Sequence, residues 1–222
     1  SIGDEGATAL ASALKRMSLL QTLDVSSNSI KIEGAVSLAS ELELIPGLQV
    51  LNICRNDIGE EGASVLASPM QKMIHMRELY IGSNNFGAAG ARSLGPALLR
   101  MTQLQRLGIS ICRIGDEGAI AIATALQGMR NLRMLKLGAN AIGDEGVRAL
   151  VPAFQVMIHM EKLYLSENKI GDDGVRAICS PLQAMVRLKT IDLSKNAIGT
   201  GGMTLLAPVR EALERRDGEM IV

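Results

Sequence analysis

The stretch Leu20-Gln21-Thr22-Leu23-Asp24-Val25-Ser26-Ser27-Asn28-Ser29-Ile30 decides how this chain folds. Leu23 and Val25 alternate with polar neighbours, and a period of two marks a short, half-buried strand. The strand gives way at Asn28. Ile30 then opens a second pattern, with Gly34 four residues on and apolar residues at helical spacing after it. The same order returns as Leu48, Leu51, Ile53, Asn56, as Met76, Leu79, Ile81, Asn84, and as Leu104, Leu107, Ile109, Cys112. Three more copies end at Asn140, Asn168 and Asn196. An isoleucine or phenylalanine stands at 2, 30, 58, 86, 114, 142, 170 and 198, a constant step of 28 with no insertion or deletion. Self-similarity at a fixed period of this size signals a solenoid, in which each unit buries its apolar side only against its neighbours.

One unit contains a strand, a loop of the type Gly-Asp-Glu-Gly, and a helix. In the fifth copy the helix pattern is Ala119, Ile122, Ala123, Leu126, Met129. Asp4, Asp116, Asp144 and Asp172 stand where these helices begin and read as N-caps, accepting backbone N–H bonds that the first turn leaves open. The recurrent glycine, from Gly6 to Gly202, suits close approach of backbone or an unusual backbone angle. Parallel strands lie ~4.8 Å apart, whereas packed helices need ~8–10 Å. A sheet on one side and helices on the other must therefore curve, with the strands inside.

The pattern L-x-x-L-x-L-x-x-N/C, carried seven times between Leu20 and Asn196, resembles the leucine-rich repeat family over the whole chain. The repeat length and the helical outer segment are similar to its ribonuclease-inhibitor subclass. That subclass includes ribonuclease inhibitor, the Ran GTPase-activating protein and the sensor arrays of NOD-like receptors. The resemblance implies an α/β right-handed solenoid, a horseshoe with about seven parallel strands on the concave face and helices on the convex face. It also implies an inward-facing column of Asn28, Asn56, Asn84, Cys112, Asn140, Asn168 and Asn196, hydrogen-bonded between turns. Cysteine is tolerated in that column, so Cys112 reads as a buried structural thiol.

The eight units form one array over residues 1–222. It opens inside a repeat, without the strand that would precede Ile2, which leads to the expectation of a segment cut from a longer protein. Residues 203–222, with the polar run Arg210 to Asp217, read as a C-terminal capping helix and tail. Pro69, Pro96, Pro152, Pro181 and Pro208 stand late in the helices and are expected to shorten or kink them.

Composition narrows the function. The 23 basic and 23 acidic residues cancel, which argues against a nucleic-acid partner held by counterion release and against a polybasic membrane anchor. No apolar run approaches the ~20 residues of a membrane span. Cys54, Cys112 and Cys179 fall in different units at different positions, too far apart for the ~7 Å that a disulfide allows. Free thiols point to a reducing compartment, the cytoplasm or the nucleus. Paired acids such as Asp116/Glu117 lack the stepped spacing of a calcium loop, and His75 and His159 lie three units apart, too distant to share a metal. Met17, Met73, Met101, Met129, Met157 and Met185 form a column that reads as core filling. No nucleophile–base constellation, phosphate loop or zinc spacing is present, so no catalytic residue, metal or cofactor is assigned.

What remains is a surface. Along the concave face one column runs Thr22, Val50, Glu78, Arg106, Met134, Lys162, Thr190, and the next runs Asp24, Asn52, Tyr80, Gly108, Lys136, Tyr164, Asp192. Tyrosine and arginine are typical interface anchors. Tyr80, Arg106, Gly108, Lys136, Lys162 and Tyr164 are therefore the candidate protein-binding residues, with a notch expected at Gly108. An inert solvated strand face would carry a similar mixture of charge and small residues. The function expected is a protein-interaction scaffold that binds another protein on the concave face or rims. The resemblance points to the ligand-sensing or autoinhibitory array of a NOD-like receptor. A GTPase-activating-type regulator and a spacer in a cytoskeletal or ciliary assembly are the alternatives. Oligomeric state is left open.

Overall fold

The computed structural model describes all 222 residues, Ser1–Val222. Helices and strands alternate. The helices are α1 (Gly3–Leu14), α2 (Ile32–Leu42), α3 (Gly59–Met70), α4 (Gly87–Arg100), α5 (Gly115–Gln127), α6 (Asp144–Val156), α7 (Asp172–Ala184) and α8 (Thr200–Glu214). The strands are β1 (Thr22–Asp24), β2 (Val50–Asn52), β3 (Glu78–Tyr80), β4 (Arg106–Gly108), β5 (Met134–Lys136), β6 (Lys162–Tyr164), β7 (Thr190–Asp192) and β8 (Glu219–Ile221). All strands join one open parallel sheet in sequence order. The register aligns Leu23, Leu51, Leu79, Leu107, Leu135, Leu163 and Ile191. These side chains point away from the concave face into a continuous core shared with the helices. The result is a leucine-rich-repeat solenoid with its sheet on the concave side.

Sequence patterning predicts about seven strands and a terminal helix with a tail, but the structure has eight strands. After α8 the chain turns at Asp217, where φ is 53°, and Gly218, where a Cβ would lie 2.7 Å from the Lys189 carbonyl oxygen. Glu219–Ile221 then pairs with β7, and Met220 aligns with Ile191. Three residues are too few to show alternation, so only the pairing defines this strand. Pro96, Pro152, Pro181 and Pro208 do not end their helices, whereas α3 stops at Met70, directly after Pro69. α4 runs to Arg100 past Pro96, and α8 runs to Glu214 past Pro208. Each proline forfeits one helical bond, and packing against neighbouring helices holds the remaining turns.

The asparagine column is a hydrogen-bond ladder. Asn140 is fully buried. Its Nδ2 donates to the carbonyls of Leu137 in its own unit (3.0 Å) and Ile109 in the preceding one (2.6 Å), and its Oδ1 accepts from the Cys112 N–H at 2.9 Å. Asn56 and Asn168 repeat this and also accept the N–H of Ile30 and Ile142. Each asparagine thus joins two units through backbone groups that no strand partner could reach.

The aspartates expected as N-caps do cap helices, but each caps the helix of the next unit. Asp4, Asp116, Asp144 and Asp172 lie in the first turns of their own helices. Their Oδ1 atoms accept the N–H of Lys31 (2.7 Å), Gly143 (2.6 Å), Gly171 (2.6 Å) and Gly199 (2.7 Å), at the starts of α2, α6, α7 and α8. Asp4 and Asp116 also accept from Gly34 and Gly146. The capped residues have φ between −108° and −89°. Where the preceding unit has Ile32, Glu60 or Ala88 instead, the corresponding Gly59, Gly87 and Gly115 take φ of 61–69°. Their N–H groups turn to the carbonyls of Asn84, Cys112 and Asn140. Lys31 is the one non-glycine at this position, and it follows Asp4. The left-handed conformation that favours glycine is not required there.

The loop state passes one unit further. In the capped loops the preceding carbonyl is free to accept from the next unit, as Ile30 does from Asp57, Ile142 from Lys169 and Ile170 from Ala197 (2.7–2.9 Å). Those three acceptor-bound residues avoid positive φ. Their counterparts Ser29, Asn85, Arg113 and Ala141, which follow glycine-type loops, have φ of 53–59°.

Two predictions follow from this scaffold chemistry. Asn140→Ala should lower unfolding free energy by about 1–3 kcal/mol, the cost of buried groups left unpaired, measured by urea denaturation. Asp116→Ala should cost about 1 kcal/mol and speed amide exchange at Gly143 and Gly146, and also at Lys169. Unchanged exchange at Lys169 would limit the effect to a simple cap.

Candidate concave interaction site

Strand side chains that do not enter the core stand on the concave face, and four of the six candidate residues line one hollow there. It encloses about 640 Å³, with Tyr80, Arg106, Lys136 and Lys162 in its walls beside Arg55, Met134 and Cys54. β3, β4, β5 and β6 each contribute one of the four, Tyr80 and Lys136 in one register column and Arg106 and Lys162 in the next. Tyr164 stands next to Lys136 in the register, and the Lys136 ammonium lies 5.4 Å from the centre of its ring. This is within the range of a cation–π contact.

Gly108 differs from expectation. It is buried, and a Cβ there would lie 3.1 Å from Cδ1 of Tyr80. The space that a small residue opens on β4 is therefore filled from within by the Tyr80 ring. Gly108 seats Tyr80 and presents no open notch.

Glu78, on β3 beside the hollow, ties two of its wall residues together. Its Oε2 accepts from the Tyr80 hydroxyl at 2.9 Å, and its Oε1 pairs with Arg106 Nη1 at 3.0 Å. Burial, reinforced by the Glu78 carboxylate, pushes the Tyr80 phenol above its ordinary value. Glu78 also raises the Arg106 guanidinium. At the β1 end, Asp24 accepts from the Ser26 hydroxyl and N–H and from Asn52. The Ser26 hydroxyl bond foremost lowers the Asp24 pKa. Asp192 holds Ser194 in the same way in β7. Asp24 and Asp192 thus stand at the two ends of the face, and its middle carries Arg106, Lys136 and Lys162 with the Glu78 carboxylate among them.

Sequence columns that begin with the strands miss the rim just before them. A second hollow on that rim is lined by Arg77, Gln103, Gln105, Asn131, Arg133, His159 and Arg187, all polar and none acidic. It shares Gln105 and Arg133 with the first. The signal was present one step upstream, where Arg77, Arg133 and Lys189 occupy one column with Glu161.

The remaining candidates are structural. Cys112 is fully buried, and its Sγ lies 3.5 and 3.7 Å from the carbonyls of Ser110 and Ile81, replacing an asparagine's donor. Burial pushes its thiol up to about 11. Burial also raises Cys54 and Cys179, and all three are free thiols. Of the methionine column, Met73, Met101, Met129, Met157 and Met185 are core, while Met17 is 45% exposed. No three His, Cys, Asp or Glu side chains gather closely enough to hold a metal ion.

The unit architecture and its ladder define a leucine-rich-repeat solenoid, and sequence comparison agrees. A profile described as Leucine Rich repeat matches residues 16–39, 48–67, 72–95, 101–123, 128–151, 156–179 and 188–207. The chain belongs to the leucine-rich repeat family. Among solved structures it is similar to an internalin (inlF) of Listeria monocytogenes, with a TM-score of 0.52 and 20% identity over 95% of this chain and 69% of that one. That likeness is one of fold. A search of curated proteins returned no match.

The Cys112 thiol gives a pH prediction. Its folded pKa exceeds the ordinary value of 9.0. The stability tied to the neutral thiol should therefore be intact below about pH 9 and lost as pH rises through about 11. A Cys112→Ala variant should lose less stability between those pH values than the wild type, by thermal melts. In native protein at pH 8, alkylation should spare Cys112.

Proposed function

We propose that this chain is a protein-interaction scaffold that recognises another protein with the middle of its concave face. The observation that carries the reading is the hollow in which four consecutive strands bring together Tyr80, Arg106, Lys136 and Lys162. The anchors are preorganised. Tyr80 is tied to Glu78, and Lys136 lies over Tyr164, so little side-chain freedom is lost on binding. Leucine-rich repeats serve widely as interaction modules, and the face offers no nucleophile–base pair or metal cluster on which to found a reaction.

Within that class, a full helix on the convex side of every unit supports the ribonuclease-inhibitor-like subclass with 28-residue repeats. We read the array as a ligand-sensing or autoinhibitory module of the NOD-like receptor type, acting in the cytoplasm. Three free thiols favour that compartment, and no helix is long and apolar enough to cross a membrane.

The test is a cross-linking pull-down that compares the wild type with a Tyr80→Ala/Lys136→Glu/Tyr164→Ala variant shown by circular dichroism to be folded. A partner captured by the wild type and lost by the variant is the expected result. Equal capture by both would move the interface off the concave floor.

A further inference from the structure

We propose that the rim leading into strands β3–β7, together with the adjoining concave floor, is a docking strip for an extended acidic segment of a partner protein. This rests on the concave-face reading above and names the chemistry of the partner.

The chain is neutral overall, yet one rim is predominantly basic. Where the strands end and the helices begin, the rim carries both signs, with Glu60, Glu61, Glu117, Glu145 and Asp173 beside Arg55, Arg113, Lys169 and Lys195, all exposed. The opposite rim carries Arg77 and Arg133 directly ahead of β3 and β5, and His159 and Arg187 three residues ahead of β6 and β7. Such clustering creates a local positive potential that net charge conceals. The acids within the strip are already engaged, Glu78 with Arg106 at 3.0 Å, Glu161 with Arg133 at 3.4 Å, and Asp192 at the β7 end with the Ser194 hydroxyl and N–H. Arg77, Arg187, Lys136 and Lys162 have no carboxylate within ion-pair distance. Four unpaired cations in two adjoining hollows call for an anionic partner.

Spacing suggests its form. Arg106, Lys136 and Lys162 sit on consecutive strands, and Arg77 and Arg133 two strands apart, or ~10 Å at ~4.8 Å per strand. Residues three apart in an extended chain are separated by about the same distance. From β3 to β7 the strip spans ~19 Å, about six extended residues. Gln103, Gln105 and Asn131 lie between the cations, and their amides can both donate to and accept from a peptide backbone. A nucleic-acid strand fits less well. Base stacking needs free aromatic faces, and here one ring covers Gly108 while the other faces Lys136.

The probe is a fluorescein-labelled peptide of alternating Glu and Ser, about twelve residues long, titrated by fluorescence anisotropy. A Lys-Ser peptide and an oligothymidylate of the same length serve as comparisons. The protein variants are Arg77→Glu/Arg187→Glu on the rim and Arg148→Glu/Arg210→Glu on the convex helices, which changes the net charge equally. The Glu peptide should bind saturably. The rim reversal should weaken it about tenfold or more, and the convex reversal should change it little. Absence of binding, or equal weakening by both reversals, would overturn the proposal. Tighter binding of the oligothymidylate would assign the strip to a nucleic acid instead. The same rim variant in the pull-down separates the two readings. A partner kept by the rim variant but lost by the floor variant would leave concave recognition standing and sink the acidic-segment strip. A partner kept by both would sink the concave reading itself.

Discussion

The hydrogen bonds at the ends of the strands govern this structure. Each strand is only three residues long, and three residues leave most of the surrounding loop without ladder partners. Those N–H and C=O groups are buried by stacking, and buried backbone groups must be paired. Asparagine answers the need because one side chain both donates and accepts. Placed at Asn56, Asn140 or Asn168, it binds carbonyls in two units while receiving N–H groups from the preceding one. The leucine core then supplies the driving force for stacking, and the ladder determines how one unit sits on the next. Where Cys112 interrupts the column, the thiol supplies only long donor contacts. In the neighbouring rung the Asn84 Oδ1 has no hydrogen-bond partner.

The same requirement explains why the loops come in two forms. At the start of each helix an N–H must find an acceptor. An aspartate one unit earlier supplies a carboxylate, and otherwise the peptide turns towards the next unit's carbonyl at a positive φ that glycine tolerates. The choice made in one loop sets the acceptor offered to the following unit. Stability in this array is therefore coupled between neighbours through hydrogen bonds as well as apolar contact, as expected for a quasi-one-dimensional protein.

A rigid frame of this kind allows surface columns to vary without disturbing the fold. The constant register delivers whatever residue a strand carries to a known place on the concave face. Here it gathers Arg106, Lys136 and Lys162 over the middle strands, with Glu78 paired among them, and places Asp24 and Asp192 at the ends. Neutral composition therefore conceals an uneven distribution of charge. Tyr80 shows how floor and anchor depend on one another: Gly108 makes room for its ring, Glu78 holds its hydroxyl, and Arg106 holds Glu78.

The repeat, its alternation of strand and helix, the inward leucines and the asparagine column were legible in the sequence because each is a local pattern copied many times. The middle of the concave face was legible for the same reason, since a known register turns a linear step into a lateral neighbour. Other features required the tertiary structure. Asp116 in isolation reads as a cap for its own helix, and only stacking brings the next unit's Gly143 and Gly146 within reach. Gly108 reads as a notch until the neighbouring Tyr80 is seen to fill it. Glu219–Ile221 has no pattern of its own and becomes a strand by pairing with β7. Arg77 and Arg133 share one repeat column and His159 and Arg187 another, and only the fold shows that the two columns line a common hollow. Local periodicity determined which elements form. Contacts between units, invisible to a one-dimensional pattern, decided which groups those elements satisfy and which charges they leave facing outward.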